Sequence, residues 1–216
     1  MGYAQCVESD LRDLALRIYC HRGFWERKED QNTASAIGAA VERGMAIETD
    51  IRDLNGKLVI SHDVTYSPNN GILELLKLNA TTALNIKSDG LLNLDFHTVQ
   101  QLLRGENSFA FDGSIPEMLN FRRANLPHAL RISEYEQELP WETPYIWLDS
   151  FNSDWWVEGE LLNEFSEKHF VVVVSPELHG RQHLQVWEKV IEQISNGNPN
   201  LGVCTDFPDE FLEAFQ

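Results

Sequence analysis

The sequence is short of cysteine, of basic residues and of long apolar runs, and each shortage excludes a class of protein. There are three cysteines, Cys6, Cys20 and Cys204; because their number is odd and their spacing is not that of a zinc site, we expect reduced, buried thiols. No run approaches the roughly 18 apolar residues of a transmembrane helix, so no membrane span is expected. The amino terminus carries acidic residues and lacks the apolar core of a signal peptide, which favours a cytoplasmic protein.

Acidic residues outnumber basic ones. The chain has 34 Asp and Glu against 17 Lys and Arg, a formal net charge of -17, and it has no run of Lys and Arg that could follow a phosphate backbone. Nucleic acid is therefore not expected as a partner, whereas the apolar fraction of 43% is sufficient for a folded core. An anionic small molecule would need a local positive site, made by a bound cation or by a few well-placed basic side chains.

The chain alternates short apolar segments with amphipathic ones. Its 216 residues fit one domain, 1–216, because α/β barrels of about 200–250 residues form single units. Eight segments are predicted as strands: 16–20, 45–51, 82–87, 108–112, 128–133, 145–149, 170–175 and 201–206. Eight strands separated by helices predict a parallel sheet closed into a (β/α)8 TIM barrel, with a doubly wound open sheet as the alternative.

Two further patterns refine this architecture. Apolar residues at helical spacing predict helices over 33–43, 95–103, 116–124, 155–168 and 183–194. After the second strand, the pair Asn55-Gly56 within "DLNGKLVISHD" is a strong signal for a tight turn. We therefore expect a small β-hairpin between the second strand and His62.

Polar side chains collect where the first three strands end, which in a parallel barrel is the active face. Seven of them are candidates: His21, Arg22, Glu48, Asp50, His62, Asn85 and Lys87. Glu48 and Asp50 are two residues apart on one strand and therefore share a face. Paired carboxylates repel one another unless a cation lies between them, and oxygen ligands suit Mg²⁺ or Ca²⁺. Without the other candidates, Glu48 and Asp50 would be interpreted as solvent-exposed carboxylates at the end of a strand.

Acidic residues later in the chain leave alternatives open. Glu177 and His179 follow the seventh predicted strand, and Glu177 has either a capping or surface role or that of a third metal carboxylate. Asp149 ends the sixth strand. Asp206, at the end of the eighth, is interpreted as a turn or cap before a helix that starts with proline.

Three motifs resemble the signature of the glycerophosphodiester phosphodiesterase family, TIM barrels of the phospholipase-C-like phosphodiesterase superfamily. They are "HRG" (21–23), "QNTASAIGAAVERGMAIETDIR" (31–52) and "GKLVISHD" (56–63). The resemblance covers the first 63 residues and continues weakly through "NIKSDG" and "TDFP". It implies a metal-dependent phosphodiesterase acting on a small phosphodiester. His21 and His62 would be the acid and the base, and which of them is the acid stays open. It also implies that Arg22 and Lys87 bind phosphate and that Glu48, Asp50 and Asn85 hold one Mg²⁺ or Ca²⁺.

Two departures from the family pattern keep a second function open. Asn85 stands where the family usually has a carboxylate, so the third metal ligand is a neutral amide. The family insertion after "HD" is reduced to "VTYSPNNGILELLKLNATTA". A non-catalytic barrel that binds a phosphorylated ligand or partner is therefore the alternative. For an enzyme, the sequence leaves open the choice among glycerophosphodiesters, a glycerol phosphate polymer and a phosphosugar diester.

Overall fold

Nine β-strands and seven α-helices alternate along residues 14–67 and 71–215, the part of the chain described by this computed structural model. The strands are β1 (Ile18–His21), β2 (Ala46–Leu54), β3 (Lys57–Ile60), β4 (Thr82–Ile86), β5 (Phe109–Phe111), β6 (Ala129–Ile132), β7 (Tyr145–Leu148), β8 (Phe170–Val174) and β9 (Leu201–Thr205). The helices are α1 (Ala34–Glu42), α2 (Gly71–Leu78), α3 (Leu91–Leu102), α4 (Ile115–Arg123), α5 (Leu161–Ser166), α6 (Leu184–Ser195) and α7 (Pro208–Ala214).

Eight of the strands form a nearly closed parallel barrel in the order β5-β4-β2-β1-β9-β8-β7-β6. The two ends of this order meet at a parallel bridge between Ala110 and His128, where the Ala110 amide donates to the Pro127 carbonyl at 3.1 Å. The eight strands that the sequence predicts are these eight. The (β/α)8 prediction is thus confirmed, and the doubly wound alternative is wrong.

The ninth strand belongs to the predicted hairpin. β3 pairs antiparallel with the end of β2, with Leu54 opposite Lys57. Asn55 has φ 50° and Gly56 has φ 76°, the left-handed conformations that a two-residue turn between twisted strands requires. The hairpin turns the chain back, so that β2 can then pair with β4 on the other side.

The helices differ from the predicted ones at identifiable places. The segment predicted as helix 155–168 is helical only over Leu161–Ser166, because the Trp155 and Trp156 indoles donate to Asp149 O and Ser150 Oγ after β7. α3 begins earlier than predicted and has a kink at Asp95, whose φ is -154°. α2 was not predicted, and it occupies the shortened segment between β3 and β4.

The barrel interior is aromatic. Phe111 and Trp147 stack with ring centroids 3.9 Å apart, and Phe109 and Tyr145 lie 5.0 Å apart. The strand residues that alternate with this interior pack outward against the helices, as expected for strands covered on both faces. Cys20 and Cys204 are free and buried as predicted, and Cys6 lies outside the described residues. No helix among the described residues has the length and apolar character needed to cross a membrane.

His128 joins the barrel closure to the loop before β7. Its Nδ1 donates to the Leu126 carbonyl at 3.0 Å, and its Nε2 accepts from the Trp141 indole at 3.0 Å, so the ring is held as the neutral tautomer. Burial lowers the pKa of His128, and the positive charge of Arg122 lowers it further, against the opposing effect of the Leu126 bond. Protonation would cost the Trp141 hydrogen bond.

We expect acid to weaken the folded state through His128. The unfolded chain, with the ordinary histidine pKa of 6.5, binds a proton before the folded chain does. The stability contributed by neutral His128 is therefore present above that pH and lost as the pH falls through the lower folded pKa. Urea unfolding should show that His128→Asn flattens the loss of unfolding free energy between neutral pH and about pH 5. His97→Asn, on the exposed side of α3, is the control, and equal slopes in wild type and His128→Asn would contradict this role.

Candidate active site

The candidate side chains stand on adjacent strands at the carboxyl end of the barrel. The register pairs His21 of β1 with Glu48 of β2, and Asp50 of β2 with Asn85 of β4. His21, Glu48 and Asn85 lie two residues after Tyr19, Ala46 and Ala83, which pack in the barrel interior, and Asp50 lies two residues after Glu48. Because alternate residues of a strand share a face, the polar side chains continue the interior layers upward into the barrel mouth.

Asp50 is the most enclosed charge of this group. Its side chain is buried, with Arg22 Nε 3.1 Å from Oδ2 and Lys87 Nζ 3.2 Å from Oδ1. Asn32 donates from Nδ2 to Asp50 Oδ2 at 2.8 Å and accepts from Thr49 Oγ1, which fixes the direction of its amide. A buried carboxylate is costly without such partners, and this one has two cations and an amide.

The loop after β1 brings Arg22 to that carboxylate. Arg22 has φ 59° and Gly23 has φ 88°, so the chain turns sharply as the strand ends. A Cβ on Gly23 would lie 2.7 Å from the backbone of Ala36 in α1, so only glycine fits between loop and helix. The turn also aims the Arg22 amide at Glu48 Oε2, 3.1 Å away.

Asp206 holds the His21 ring, although the sequence predicts a different role for this residue. Its Nδ1 lies 2.6 Å from Asp206 Oδ1, and its Nε2 lies 4.0 Å from Glu48 Oε2. Asp206 lies in the bend before α7, as predicted, but its interpretation as a cap is wrong, because α7 has Phe207 at its N-cap and no side-chain cap. Closure of the barrel places β9 beside β1. An acidic residue at the end of the last strand is therefore the sequence feature from which a partner of His21 could have been predicted.

The electrostatics of His21 and Glu48 follow from burial and from neighbouring charges. Burial lowers the pKa of His21, but the hydrogen bond to Asp206 and the negative charge of Glu48 outweigh it, so the pKa is raised above 6.5. Burial, followed by the charge of Asp50, raises the pKa of Glu48 to about 7, although His21, Lys87 and Arg22 oppose the shift.

Glu177 supports Asp206. One of its carboxylate oxygens accepts from the Thr205 hydroxyl and from the Asp206 amide, the latter at 3.1 Å, and the other accepts from the Ser175 hydroxyl. Both oxygens are thus engaged in joining the ends of β8 and β9. Glu177 was open to a capping or surface role or to that of a third metal carboxylate, and these hydrogen bonds match the capping role.

His62 is the most exposed histidine among the candidates, and its partner is Asp63. Its side chain is 44% exposed, and its Nδ1 lies 2.9 Å from Asp63 Oδ1, itself at the surface. Within the described parts of the chain, no hydrogen bond or ion pair joins His62 to the other candidates. The structure therefore joins six of the seven predicted residues by contact or by register, His21, Arg22, Glu48, Asp50, Asn85 and Lys87. His62 follows Ser61, whose amide donates to the Asp50 carbonyl at 3.0 Å, and its side chain is paired with Asp63.

The donor set can be tested for its fit to a cation. Two buried oxygens at these strand ends accept no hydrogen bond from the described residues: Asn85 Oδ1, and Asp50 Oδ1, which has the ion pair with Lys87 Nζ at 3.2 Å. Their residues are register partners on β2 and β4. Among residues 14–67 and 71–215 no group of three His, Cys, Asp or Glu side chains is arranged to hold a metal, but the amide of Asn85 is not one of those types. Two carboxylates and an amide form an all-oxygen set that fits a hard cation such as Mg²⁺ or Ca²⁺.

Comparison with known proteins supports the fold. No protein family model matches the chain, and no curated protein matches its sequence. Among solved structures, it is similar to a protein from Silicibacter pomeroyi DSS-3, provisionally identified as a glycerophosphoryl diester phosphodiesterase. The TM-score is 0.53 at 15% identity, over 95% of this chain and 97% of that one. It is also similar to a 7,8-dihydropteroate synthase from Vibrio fischeri ES114, with a TM-score of 0.49 at 8% identity over 93% and 91% of the chains. At such identities the first comparison shows a shared fold.

We predict that Asp206 sets the basicity of His21. In chelator-treated protein, Asp206→Asn keeps an oxygen near Nδ1 but removes the negative charge, so the pKa of His21 should fall relative to wild type. NMR titration of the histidine resonances measures this shift. Asp63→Asn, which removes the partner of His62, is the control and should leave the pKa of His21 unchanged. An unchanged His21 pKa in Asp206→Asn would show that the 2.6 Å contact does not govern it.

Proposed function

We propose that this chain is a metal-dependent phosphodiesterase that cleaves a glycerophosphodiester or a related small phosphodiester. One observation carries the proposal: an imidazole, two buried carboxylates, a guanidinium and an ammonium meet at adjacent strand ends of a parallel barrel. The motifs shared with the phosphodiesterase family and the fold shared with the Silicibacter pomeroyi protein support the same reaction class.

His21 is suited to moving a proton. Because its Nδ1–H donates to Asp206, the Nε2 atom remains free to accept a proton from an attacking hydroxyl or water. The carboxylate also stabilises the imidazolium that forms when Nε2 takes the proton. Diester cleavage needs a second proton transfer, to the leaving oxygen. The family resemblance names His21 and His62 for the two transfers and leaves their order open, so with His21 as the base the second transfer falls to His62.

Arg22 and Lys87 supply the local positive charge that an acidic protein needs to bind phosphate. Both lie within 3.2 Å of Asp50, and both side chains keep part of their surface accessible. A guanidinium can bind two phosphate oxygens at once, and an ammonium adds a point charge. The buried carboxylate thus positions two cations at the place where the phosphate would bind.

Glu48, Asp50 and Asn85 are the residues that would hold the divalent cation. When bound, Mg²⁺ or Ca²⁺ would polarise the phosphoryl group and offset its negative charge. Support comes from the oxygen-only donor set and from Asn85 Oδ1, a buried oxygen that accepts no hydrogen bond from the described residues. Because the Asn85 amide is neutral, the site carries one negative charge fewer than a site of three carboxylates.

Asn85 also favours the second candidate, a barrel that binds a phosphorylated ligand without cleaving it. A neutral amide weakens cation binding, and the side chain of His62, one of the two histidines that the resemblance implies as acid and base, is 44% exposed. The two functions share the binding residues Arg22 and Lys87 and differ in turnover. Turnover of a diester therefore distinguishes them.

We predict that the wild-type chain hydrolyses glycerophosphodiesters in the presence of Mg²⁺, Ca²⁺ or Mn²⁺. His21→Asn should lower kcat by roughly 10²–10⁴-fold, the usual contribution of a positioned acid or base. Release of the free alcohol, measured across a panel of diesters, checks both statements. His97→Asn on α3 removes an imidazole far from the barrel mouth and should retain full turnover. Binding of diesters without turnover by wild type would favour the non-catalytic barrel.

We predict that Asn85→Glu tightens Mg²⁺ binding by about an order of magnitude, because ligand charge helps to set the affinity for such cations. Calorimetric titration of the apoprotein measures the change. Asn93→Glu, on the exposed side of α3, adds the same charge outside the site and should leave the affinity unchanged. Equal affinities for Asn85→Glu and Asn93→Glu would show that Asn85 does not face the cation. Lower turnover in Asn85→Glu despite tighter binding would indicate a site tuned to the amide, which is the result we expect.

A further inference from the structure

A second histidine–aspartate pair lies across the barrel mouth from His21. Asp149 follows β7 and is buried; its Oδ1 lies 2.7 Å from His179 Nε2 and accepts from the Ser150 amide at 2.8 Å. Asp149 follows the interior residue Trp147 at an interval of two, as Glu48 follows Ala46. The two pairs therefore face into the same barrel mouth.

One short turn links the two pairs. Residues Pro176–His179 form a 3-10 helix after β8. Glu177 in this turn accepts from the Asp206 amide and so supports the partner of His21, while His179, at its end, lies on Asp149. The turn therefore fixes the positions of both imidazoles relative to the strand ends.

The two imidazoles are held in complementary ways. His21 is bound to its carboxylate through Nδ1, and His179 through Nε2. The other ring nitrogen of His179, Nδ1, forms no hydrogen bond with any described residue. The ring is packed against Phe151, with centroids 4.8 Å apart, so its orientation is fixed. His62, by contrast, has a partner in Asp63 whose side chain is 91% exposed, where solvent weakens the orienting effect.

Asp149, the charged partner of His179, belongs to a network of charges from neighbouring elements. Arg131 of β6 lies 3.9 Å from Asp149 Oδ2, and it also pairs with Asp112 after β5 and with Glu136 after β6. Glu177 lies in the same turn as His179. A cavity of about 660 Å³ opens beside Arg131 and Asp112, with Ile115, Met118 and Tyr135 among its lining residues. Its polar and apolar lining is suited to an organic alcohol, and Arg131 connects it to the His179–Asp149 pair, because this side chain lies 3.9 Å from Asp149 Oδ2.

We propose that His179, oriented by Asp149, is the proton donor to the leaving alcohol of the diester; this inference rests on the proposed function. His21 Nε2 takes the proton of the attacking hydroxyl or water as its oxygen forms a bond to phosphorus. The bond from phosphorus to the alcohol oxygen breaks, its electron pair stays on that oxygen, and the oxygen takes the proton from His179 Nδ1. Solvent then returns a proton to His179 and removes one from His21, so that the cycle is balanced.

The test compares two leaving groups in the full chain. An alkyl alcohol needs a proton to leave, whereas a nitrophenol leaves as the anion. On an alkyl phosphodiester, His179→Asn should lower kcat by roughly 10²–10⁴-fold, and Asp149→Asn should lower it less. On the nitrophenyl phosphodiester, His179→Asn should retain activity within about tenfold of wild type. His21→Asn should be impaired on both substrates, since the attacking group is the same.

Each other outcome has a definite meaning. Wild-type turnover of the alkyl diester by His179→Asn, or equal losses on both leaving groups, would overturn this inference while the proposed function stands. A leaving-group-dependent loss in His62→Asn, with none in His179→Asn, would overturn it in favour of His62. Absence of turnover by the wild-type chain on every diester would overturn the proposed function and this inference together. His97→Asn is the matched control, and thermal unfolding verifies that each variant is folded.

Discussion

The burial of the Asp50 carboxylate is the constraint around which the barrel mouth is organised. A fully enclosed negative charge has to be compensated, and its partners come from three separate places: the loop after β1, the loop before α1 and the end of β4. Arg22 reaches the Asp50 carboxylate because the chain turns at Gly23. Asn32 reaches the same carboxylate because its loop returns to β2. The same contacts that satisfy this charge therefore place a guanidinium and an ammonium side by side.

This arrangement explains how an acidic protein could accept an anion. The chain carries a formal net charge of -17, so a phosphate ester is repelled by most of the surface. Two cations gathered beside the buried Asp50 carboxylate supply positive charge at one place, inside a mouth with low-dielectric walls. Asn85 acts in the same direction, because an amide in place of a carboxylate removes one negative charge from that place.

The barrel mouth has two halves with a common design. In each, a buried or half-buried aspartate at a strand end orients an imidazole, His21 on the β9 side and His179 on the β7 side, and the turn after β8 contacts both. Neither contact depends on the segment between β3 and β4, where the chain is short. The exposed position of His62 is consistent with that shortness, since α2 is the one helix that the described residues between β3 and β4 form.

The sequence by itself determined the elements: apolar runs bounded by turn residues predict the eight strands, and Asn55-Gly56 predicts the hairpin, because these are local patterns of period and backbone conformation. It also predicted which side chains of β1, β2 and β4 share a face, since strand residues alternate. It missed α2, and it gave Asp206 the role of a cap. Only the tertiary structure decided that Asp206 meets His21, that Asp149 meets His179 and that the side chain of His62 is exposed. Those contacts join residues far apart in the chain, and barrel closure, not local sequence, sets which strand ends are neighbours.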